Sequence, residues 1–167
     1  GFSDGGPYPS SAITFPEMDH TGAVIGITFR AQGGRKGTAT GSKRGIVHSQ
    51  PFEAPDPVLI VEGPSDALAG GSLRIATIGR ASSSTGADIL AALPTLPSRE
   101  VLVLADSDSA GRDGARRLAQ VLTDQWKRPV PWATLPNGCK DLREHLRSLS
   151  LDVEDDVLEP DAALRPE

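Results

Sequence analysis

The stretch of sequence that decides the fold is VLVLADSDSAGRDGARRLAQVL, residues 101–122. Its first five residues are apolar and run directly into two aspartates, Asp106 and Asp108, after which apolar residues recur at helical spacing. A short continuous apolar run is typical of a strand that is covered on both faces of its sheet. Two aspartates one residue apart repel each other. Their position at the end of a buried strand therefore calls for a compensating positive charge.

The rest of the chain repeats this strand-then-helix pattern. Strands are predicted at 58–63, 74–79, 101–106 and 130–136, and helices at about 65–70, up to Leu93, at about 110–126 and at 141–149. Regular alternation of strands and helices predicts an α/β fold whose sheet is mainly parallel. We therefore expect a four-stranded, Rossmann-like sheet flanked by helices, with a small N-terminal β subdomain before it.

Composition divides the chain into four predicted segments. They are a loose N-terminus rich in Gly, Pro and Ser (1–11), a small β-rich basic subdomain (12–50), an α/β domain (57–150) and an acidic, disordered tail (151–167). In the basic subdomain, 12–31 predicts two strands joined by a polar turn, and 32–45 predicts a glycine-rich basic loop. The proline-rich segment 50–57 predicts a linker. The tail carries most of the acidic excess behind the net charge of −5, so the body is nearly neutral.

Simple counts exclude several classes of protein. The one cysteine, Cys139, rules out an internal disulfide and any Cys-rich zinc module, and it fits a reducing, cytoplasmic location. No apolar run approaches the roughly 20 residues that a membrane-spanning helix needs, so no membrane partner is expected.

Three acids fall at the carboxyl ends of predicted strands. Glu62 ends one strand, and Asp106 and Asp108 end another. In a parallel sheet these ends lie along one edge, where ligands bind. Oxygen ligands without nearby histidine or cysteine favour Mg²⁺, with Mn²⁺ as an alternative, over zinc or copper. The competing interpretation is that each aspartate only caps a helix.

Two stretches of sequence resemble the TOPRIM domain, which primases, type IA and II topoisomerases and some nucleases share. They are VLIVEGPSDALA (58–69) and the stretch at 101–122, in which Glu62, Asp106 and Asp108 match the acidic motifs of that domain. The primase type, found in bacterial and phage primases and primase–helicases, is the most similar. Asp66 matches its Glu-Gly-x-x-Asp form, and TLPNGCKDLREHL (134–146) resembles its closing segment, with Asp141 as a further acid. Upstream, GAVIGITFRA (22–31) and GSKRGIVHS (41–49) resemble the segment that precedes the domain in primases.

This resemblance implies a metal-dependent nucleotidyltransferase, the catalytic TOPRIM region of a DNA primase or primase–helicase that makes short primers on single-stranded DNA. The implied metal ligands are Glu62, Asp66, Asp106, Asp108 and Asp141, of which Glu62, Asp106 and Asp108 are the catalytic set and Glu62 is alternatively the general base. The implied partners are nucleoside triphosphates, a single-stranded DNA template and a replicative helicase in cis or in trans.

Basic residues predict where phosphates bind. Five bases and no acids lie between Arg30 and His48, and the glycines among them leave backbone N–H groups free to face phosphate. Arg30, Lys43, Arg44 and, near the acidic edge, Arg112 are the predicted nucleotide or nucleic-acid contacts. The alternative for the 32–45 loop is a solvated flexible segment.

Two other functions remain open from the sequence. The same carboxylates in a nuclease would activate water in place of a sugar hydroxyl, and a non-catalytic TOPRIM module would only bind nucleic acid within a replication protein. A topoisomerase is disfavoured, because Tyr8, the one tyrosine, lies in the loose N-terminus. The choice between ribonucleotides and deoxyribonucleotides is also open.

Overall fold

The computed structural model describes residues 12–32, 34–49, 56–82 and 84–155. The strands are β1 (Ala12–Met18), β2 (Val24–Ala31), β3 (Lys36–Thr38), β4 (Ile46–His48), β5 (Val58–Glu62), β6 (Thr77–Arg80), β7 (Val101–Ala105) and β8 (Trp132–Thr134). The α-helices are α1 (Pro64–Ser72), α2 (Ala87–Ala92), α3 (Ser109–Trp126) and α4 (Leu142–Asp155). The predicted helices at 110–126 and 141–149 correspond to α3 and α4.

The centre of the molecule is the predicted parallel sheet. Strands β6, β5, β7 and β8 lie side by side in that order, and each pairs with its neighbour in parallel. Strands β5 and β7 are continuous apolar runs because both of their faces are covered. The α/β fold class and its parallel, four-stranded core are confirmed.

Helices cover both faces of this sheet. Ile60 and Val103 are fully buried in a cluster that includes Leu90 of α2 and Leu118 of α3. On the opposite face, alternate residues of β5 such as Val61 pack with residues of α1 and α4. Because successive strand residues point to opposite faces, one apolar strand supplies both halves of this three-layer core.

The sheet is larger than the four strands predicted from the sequence. Within the part of the chain that the structure describes, it contains eight strands in the order β3-β2-β1-β4-β6-β5-β7-β8. The joining strand, β4, pairs antiparallel with β6 and contacts β1 through Met18 and Ile46. The prediction missed β4 because it follows a basic, glycine-rich stretch, and three residues are too few to show the alternation of apolar and polar residues that indicates a strand. The N-terminal strands thus extend the parallel sheet, while the division into separate domains stays a prediction.

The first helix was predicted to end at about residue 70, but Gly70 and Gly71 lie inside α1. A Cβ atom on Gly70 would come within 2.2 Å of the side-chain oxygen of Thr77, so glycine is what lets α1 lie close against β6. The helix ends at Ser72, and a turn with Arg74 at φ 59° follows. Consequently β6 begins at Thr77, three residues later than the predicted start at residue 74.

Some predictions lie partly or wholly outside the described residues. These are the loose N-terminus at 1–11, most of the linker at 50–57 and the tail from residue 156 onward. Helix α4 reaches Asp155 and so continues five residues into the segment predicted to be disordered. Among the described residues, no helix combines the length and the apolar character required to cross a membrane.

Candidate active site

The carboxyl ends of the two central strands border one open cavity. Glu62 is the last residue of β5, and Asp106 follows the last residue of β7, its parallel neighbour. The cavity has a volume of about 440 Å³ and lies between this edge and the antiparallel strands β1 to β3. Its charged lining residues are Arg30, Lys36, Arg44, Glu62, Asp66, Asp106, Lys140, Asp141 and Arg143.

Asp106 is the carboxyl group most affected by its surroundings. Its pKa is raised to about 7, first by burial and then by the negative charges of Glu62, Asp66, Asp141 and Asp108. Each cause disfavours the ionised form. A carboxyl group that shares a cavity with other carboxylates and titrates near neutrality is a candidate for function. The predicted meeting of Glu62 and Asp106 at one edge is thus present in the fold.

Asp108 lies differently from Asp106. It is the N-cap residue of α3, and its Oδ1 accepts a hydrogen bond from the backbone N–H of Gly111 at 2.7 Å. Its side chain is exposed and does not line the cavity. The capping role weighed from the sequence is therefore present at Asp108, whereas its catalytic and metal-binding roles stay predictions.

Gly111 brings the first turn of α3 against Asp106. A Cβ atom at this position would lie 2.8 Å from both Cβ and the carbonyl oxygen of Asp106, closer than real Cβ atoms approach other atoms. The backbone here is in an ordinary conformation, so it is close packing rather than backbone freedom that requires glycine. Gly111 thus couples the position of α3 to that of the acidic edge.

We expect the Gly111→Ala substitution to lower the free energy of unfolding by about 1–3 kcal/mol, the usual cost of overpacking. Alanine elsewhere in a helix would instead raise stability by up to about 1 kcal/mol. Urea unfolding followed by circular dichroism measures the difference. The matched control is Ala110→Gly, next to it and exposed, for which only the small propensity cost is expected. Equal or higher stability of Gly111→Ala would show that α3 does not press on Asp106.

Asp66 and Asp141 are both bound by one arginine, Arg143 of α4. Its Nε donates to Oδ1 of Asp66 at 3.1 Å, and its Nη2 donates to Oδ2 of Asp141 at 2.7 Å. Burial raises the pKa of Asp66, although Arg143 opposes the shift. For Asp141, hydrogen bonds from Glu144 and the charge of Arg143 outweigh burial and lower the pKa.

A second arginine, Arg80, lies buried beneath the acidic edge. It ends β6 beside Glu62, and only 2% of its surface is exposed. Burial lowers its pKa, while the charges of Glu62 and Asp106 raise it. A buried guanidinium below two carboxylates offsets part of their repulsion.

The cavity wall opposite the acids is basic. Arg30 of β2 and Lys36 of β3 are register partners, and Nη1 of Arg30 lies 3.5 Å from the hydroxyl of Ser65. Arg44 donates to Oγ1 of Thr38 at 2.8 Å and to the carbonyl of Ala81 at 3.1 Å, so it is fixed in place. Three positive side chains therefore face the acidic edge across the cavity.

The other two predicted phosphate contacts lie outside the cavity lining. Lys43 is exposed, and its backbone N–H donates to the carbonyl of Ile25 at 2.9 Å. Arg112 is exposed on α3 and donates to the carbonyl of Ser107. Their roles in binding nucleotide or nucleic acid stay predictions.

Sequence reasoning missed Arg80 and Arg143 as site residues. Arg80 belongs to a strand that was predicted to end at residue 79, and Arg143 belongs to the helix predicted at 141–149, to which only Asp141 was assigned a site role. The signal for Arg143 was its place two residues after Asp141, which puts it in the first turn of α4. No comparable signal marks Arg80, since its role depends on the pairing of β5 with β6.

The donor set fits Mg²⁺ bound together with phosphates. Among the described residues, no three His, Cys, Asp or Glu side chains are arranged to hold a metal ion by themselves. Mg²⁺ does not need such a cage, since it usually takes one or two carboxylates, substrate phosphates and waters. Glu62 and Asp106 supply oxygen ligands of this kind beside a basic wall. Zinc, which favours nitrogen and sulfur ligands, fits less well.

Comparison with known proteins agrees with this fold. The chain resembles the catalytic core of DnaG (24% identity, TM-score 0.62, covering 87% of this chain and 52% of that one) and the primase fragment of the bacteriophage T7 primase-helicase protein (22%, 0.59, 87% and 61%). It also resembles a DNA primase domain from Pseudomonas aeruginosa (19%, 0.63, 93% and 54%). The chain thus spans only about half to three fifths of the length of these structures. No curated protein sequence matches it.

The fold and the acidic edge together define a class of α/β protein. In this class, carboxylates gather where the central parallel strands end, and they face a basic antiparallel extension of the same sheet. The Toprim-like family model matches residues 59–146, just over half of the chain. This chain belongs to the Toprim-like family. The suspected TOPRIM resemblance is confirmed.

Proposed function

We propose that this chain is the catalytic TOPRIM region of a DNA primase or primase–helicase, which joins nucleotides into short primers on single-stranded DNA. The observation that carries the proposal is the division of charge in one cavity, with Glu62 and Asp106 on one side and Arg30, Lys36 and Arg44 on the other. Two of the similar structures support the partners: one is a DnaG catalytic domain bound to single-stranded DNA, and another contains primase domains with an RNA/DNA hybrid and dTTP.

The acidic side of the cavity is suited to a metal ion. Dependence on a divalent metal is general among TOPRIM primases. Glu62 and Asp106 would hold Mg²⁺, with Asp108 close by on the same turn. When bound, the ion supplies compensation for the charge of the triphosphate and of the leaving pyrophosphate. Alternatively, Glu62 would accept the proton of the attacking 3′-hydroxyl.

The basic side of the cavity is suited to phosphates. Arg30 and Arg44 present planar guanidinium groups, which pair with phosphate oxygens through two parallel hydrogen bonds. Arg44 is held by Thr38, by Ala81 and by an ion pair with the buried Glu17 at 3.6 Å. Preorganised groups of this kind orient a triphosphate for in-line attack without a further ordering cost.

The test is incorporation of labelled nucleotides on single-stranded DNA by the purified protein, with Mg²⁺ and with EDTA. The proposal expects short products that require both the metal and the template. Run with ribonucleotides and then with deoxyribonucleotides, the assay also identifies the substrate. Metal-dependent cleavage of plasmid without incorporation would indicate a nuclease, and EDTA-insensitive DNA binding without turnover would indicate a binding module.

We expect the Arg30→Gln substitution to lower kcat/KM for the nucleotide about tenfold or more, because one charge-assisted phosphate contact contributes roughly 1.5–3 kcal/mol. Steady-state incorporation kinetics measure the loss. The matched control is Arg35→Gln in the same basic segment, since Arg35 is exposed and does not line the cavity; its effect should stay within about twofold. Equal losses in the two variants would mean that the segment contributes only general positive charge.

A further inference from the structure

Asp66 accepts two hydrogen bonds from one residue of α4, Arg143. Its Oδ1 accepts hydrogen bonds from the backbone N–H and from Nε of Arg143, at 3.2 and 3.1 Å. Only 4% of its surface is exposed. Charge-assisted bonds to a buried carboxylate are strong, and a metal ion at Oδ1 of Asp66 would have to compete with them.

Asp141 has hydrogen bonds to both of its carboxylate oxygens. Its Oδ1 accepts from the backbone N–H of Glu144 at 3.0 Å, which caps α4, and its Oδ2 accepts from Nη2 of Arg143 at 2.7 Å. One guanidinium thus bridges two carboxylates from different elements, one on α1 and one before α4. It lies in the cavity wall, where a second cation would otherwise be expected.

The negative charge left at the acidic edge lies on the Glu62–Asp106 side. The carboxylates of the cavity lining there are Glu62, Asp66, Asp106 and Asp141. Arg143 forms ion pairs with Asp66 and Asp141, and the charge of Lys140 also acts on Asp141, so two positive charges offset this pair. Arg80 supplies one positive charge to Glu62 and Asp106. A divalent ion is therefore expected at Glu62 and Asp106.

We propose that Arg143 permanently occupies the place of a second metal ion, so that the site takes one divalent cation, held by Glu62 and Asp106. Asp66 and Asp141 then act as positioning residues that fix α4 and Arg143 against the cavity. The inference rests on the metal dependence in the proposed function and adds the stoichiometry of that metal. It gives a role to an arginine that sequence reasoning overlooked.

Mn²⁺ binding to the purified protein tests this inference without any measurement of catalysis. The EPR signal of free Mn²⁺ counts the bound ions per chain during a titration. The wild-type protein is expected to bind one ion, as is Arg143→Lys, which keeps the charge. Arg143→Gln, which frees two carboxylates, is expected to bind two. Two ions, or none, on the wild-type protein, or one ion on a folded Arg143→Gln variant, would overturn the proposal.

A second variant covers the case in which Arg143→Gln does not fold. Asparagine caps helices about as well as aspartate, so Asp141→Asn preserves the end of α4. Mn²⁺ affinity in this variant is expected to stay within about threefold of the wild-type value, while Glu62→Gln should weaken binding at least tenfold. A tenfold loss in Asp141→Asn would identify Asp141 as a ligand and contradict the proposal. A protein that binds one ion but makes no primers would contradict the proposed function alone.

Discussion

The Asp106→Asn variant is expected to lose nucleotide incorporation by about 1,000-fold, because removal of a single charge-stabilising group from an active site costs about 10²–10³ in kcat and here also removes one of two metal-binding carboxylates. Asparagine preserves the size of the side chain, so the loss reports charge rather than shape. Asp106 is the group on which burial and the charges of four neighbouring carboxylates converge. The measurement is the initial rate of labelled-nucleotide incorporation at saturating Mg²⁺.

Two other aspartates of the same region serve as comparisons. The side chain of Asp113 on α3 is 51% exposed and forms an ion pair with Arg116 at 2.8 Å, so Asp113→Asn should leave the rate within about twofold. Asp108→Asn keeps the helix cap, and it should lose less activity than Asp106→Asn because Asp108 lies outside the cavity lining. A variant of Asp106 that keeps more than a tenth of the wild-type rate would remove this residue from the catalytic assignment.

Without metal, the same Asp106→Asn substitution is expected to make the protein more stable above about pH 7. The carboxyl group has a pKa of about 7 in the fold and about 3.8 when unfolded. Between these values the folded state holds the proton more tightly, so wild-type stability falls as the pH rises through this window and levels off above it. Asparagine does not ionise, so the Asp106→Asn variant should not lose this stability as the pH rises. Because the group is only partly buried, we expect a gain of about 1–2 kcal/mol rather than the roughly 4 kcal/mol of the full shift.

Urea unfolding in EDTA at about pH 5 and about pH 8 measures this effect. Comparison of wild type with Asp106→Asn cancels other titrating groups, including Asp66, whose pKa is also raised. The gain should appear at the higher pH and shrink at the lower one. Asp113→Asn, tested alongside, should show no such dependence. A loss of stability at pH 8 would mean that Asp106 is held by favourable contacts and not by repulsion.

Mg²⁺ should reverse the order of stability of the wild-type protein and Asp106→Asn at pH 8. A ligand that binds only the folded protein stabilises it by about 2.7 kcal/mol at 100 times its Kd. Mg²⁺ is therefore expected to raise the melting temperature of the wild-type protein at pH 8 and to have little effect on Asp106→Asn. The site is thus expected to be unstable on its own and stable when loaded, which answers why a buried strand should end in acids.

The parallel core was predictable because each strand carries its own signal. The apolar runs at 58–62 and 101–105 are buried on both faces, and such strands read as continuous hydrophobic stretches whatever their partners are. The edge position of Glu62 and Asp106 then follows from the topology of parallel strands. Local sequence and overall fold agree in this part of the chain.

The parts that were missed depend on contacts between distant segments. Strand β4 has three residues, and it is a strand because β1 and β6 leave a place between them. Arg143 reaches Asp66 across 77 positions of sequence, and its place two residues after Asp141 does not indicate that contact. Similarly, Lys43 and Arg44 are neighbours in one basic loop, but only Arg44 lines the cavity.

The most direct test of the account is the anomalous-scattering map of crystals grown with Mn²⁺ and a non-hydrolysable nucleoside triphosphate. The account predicts a single strong peak between the carboxylates of Glu62 and Asp106, with the triphosphate extending toward Arg30 and Arg44. A peak on the outer side of α3, or two peaks that include Asp66 and Asp141, would contradict it.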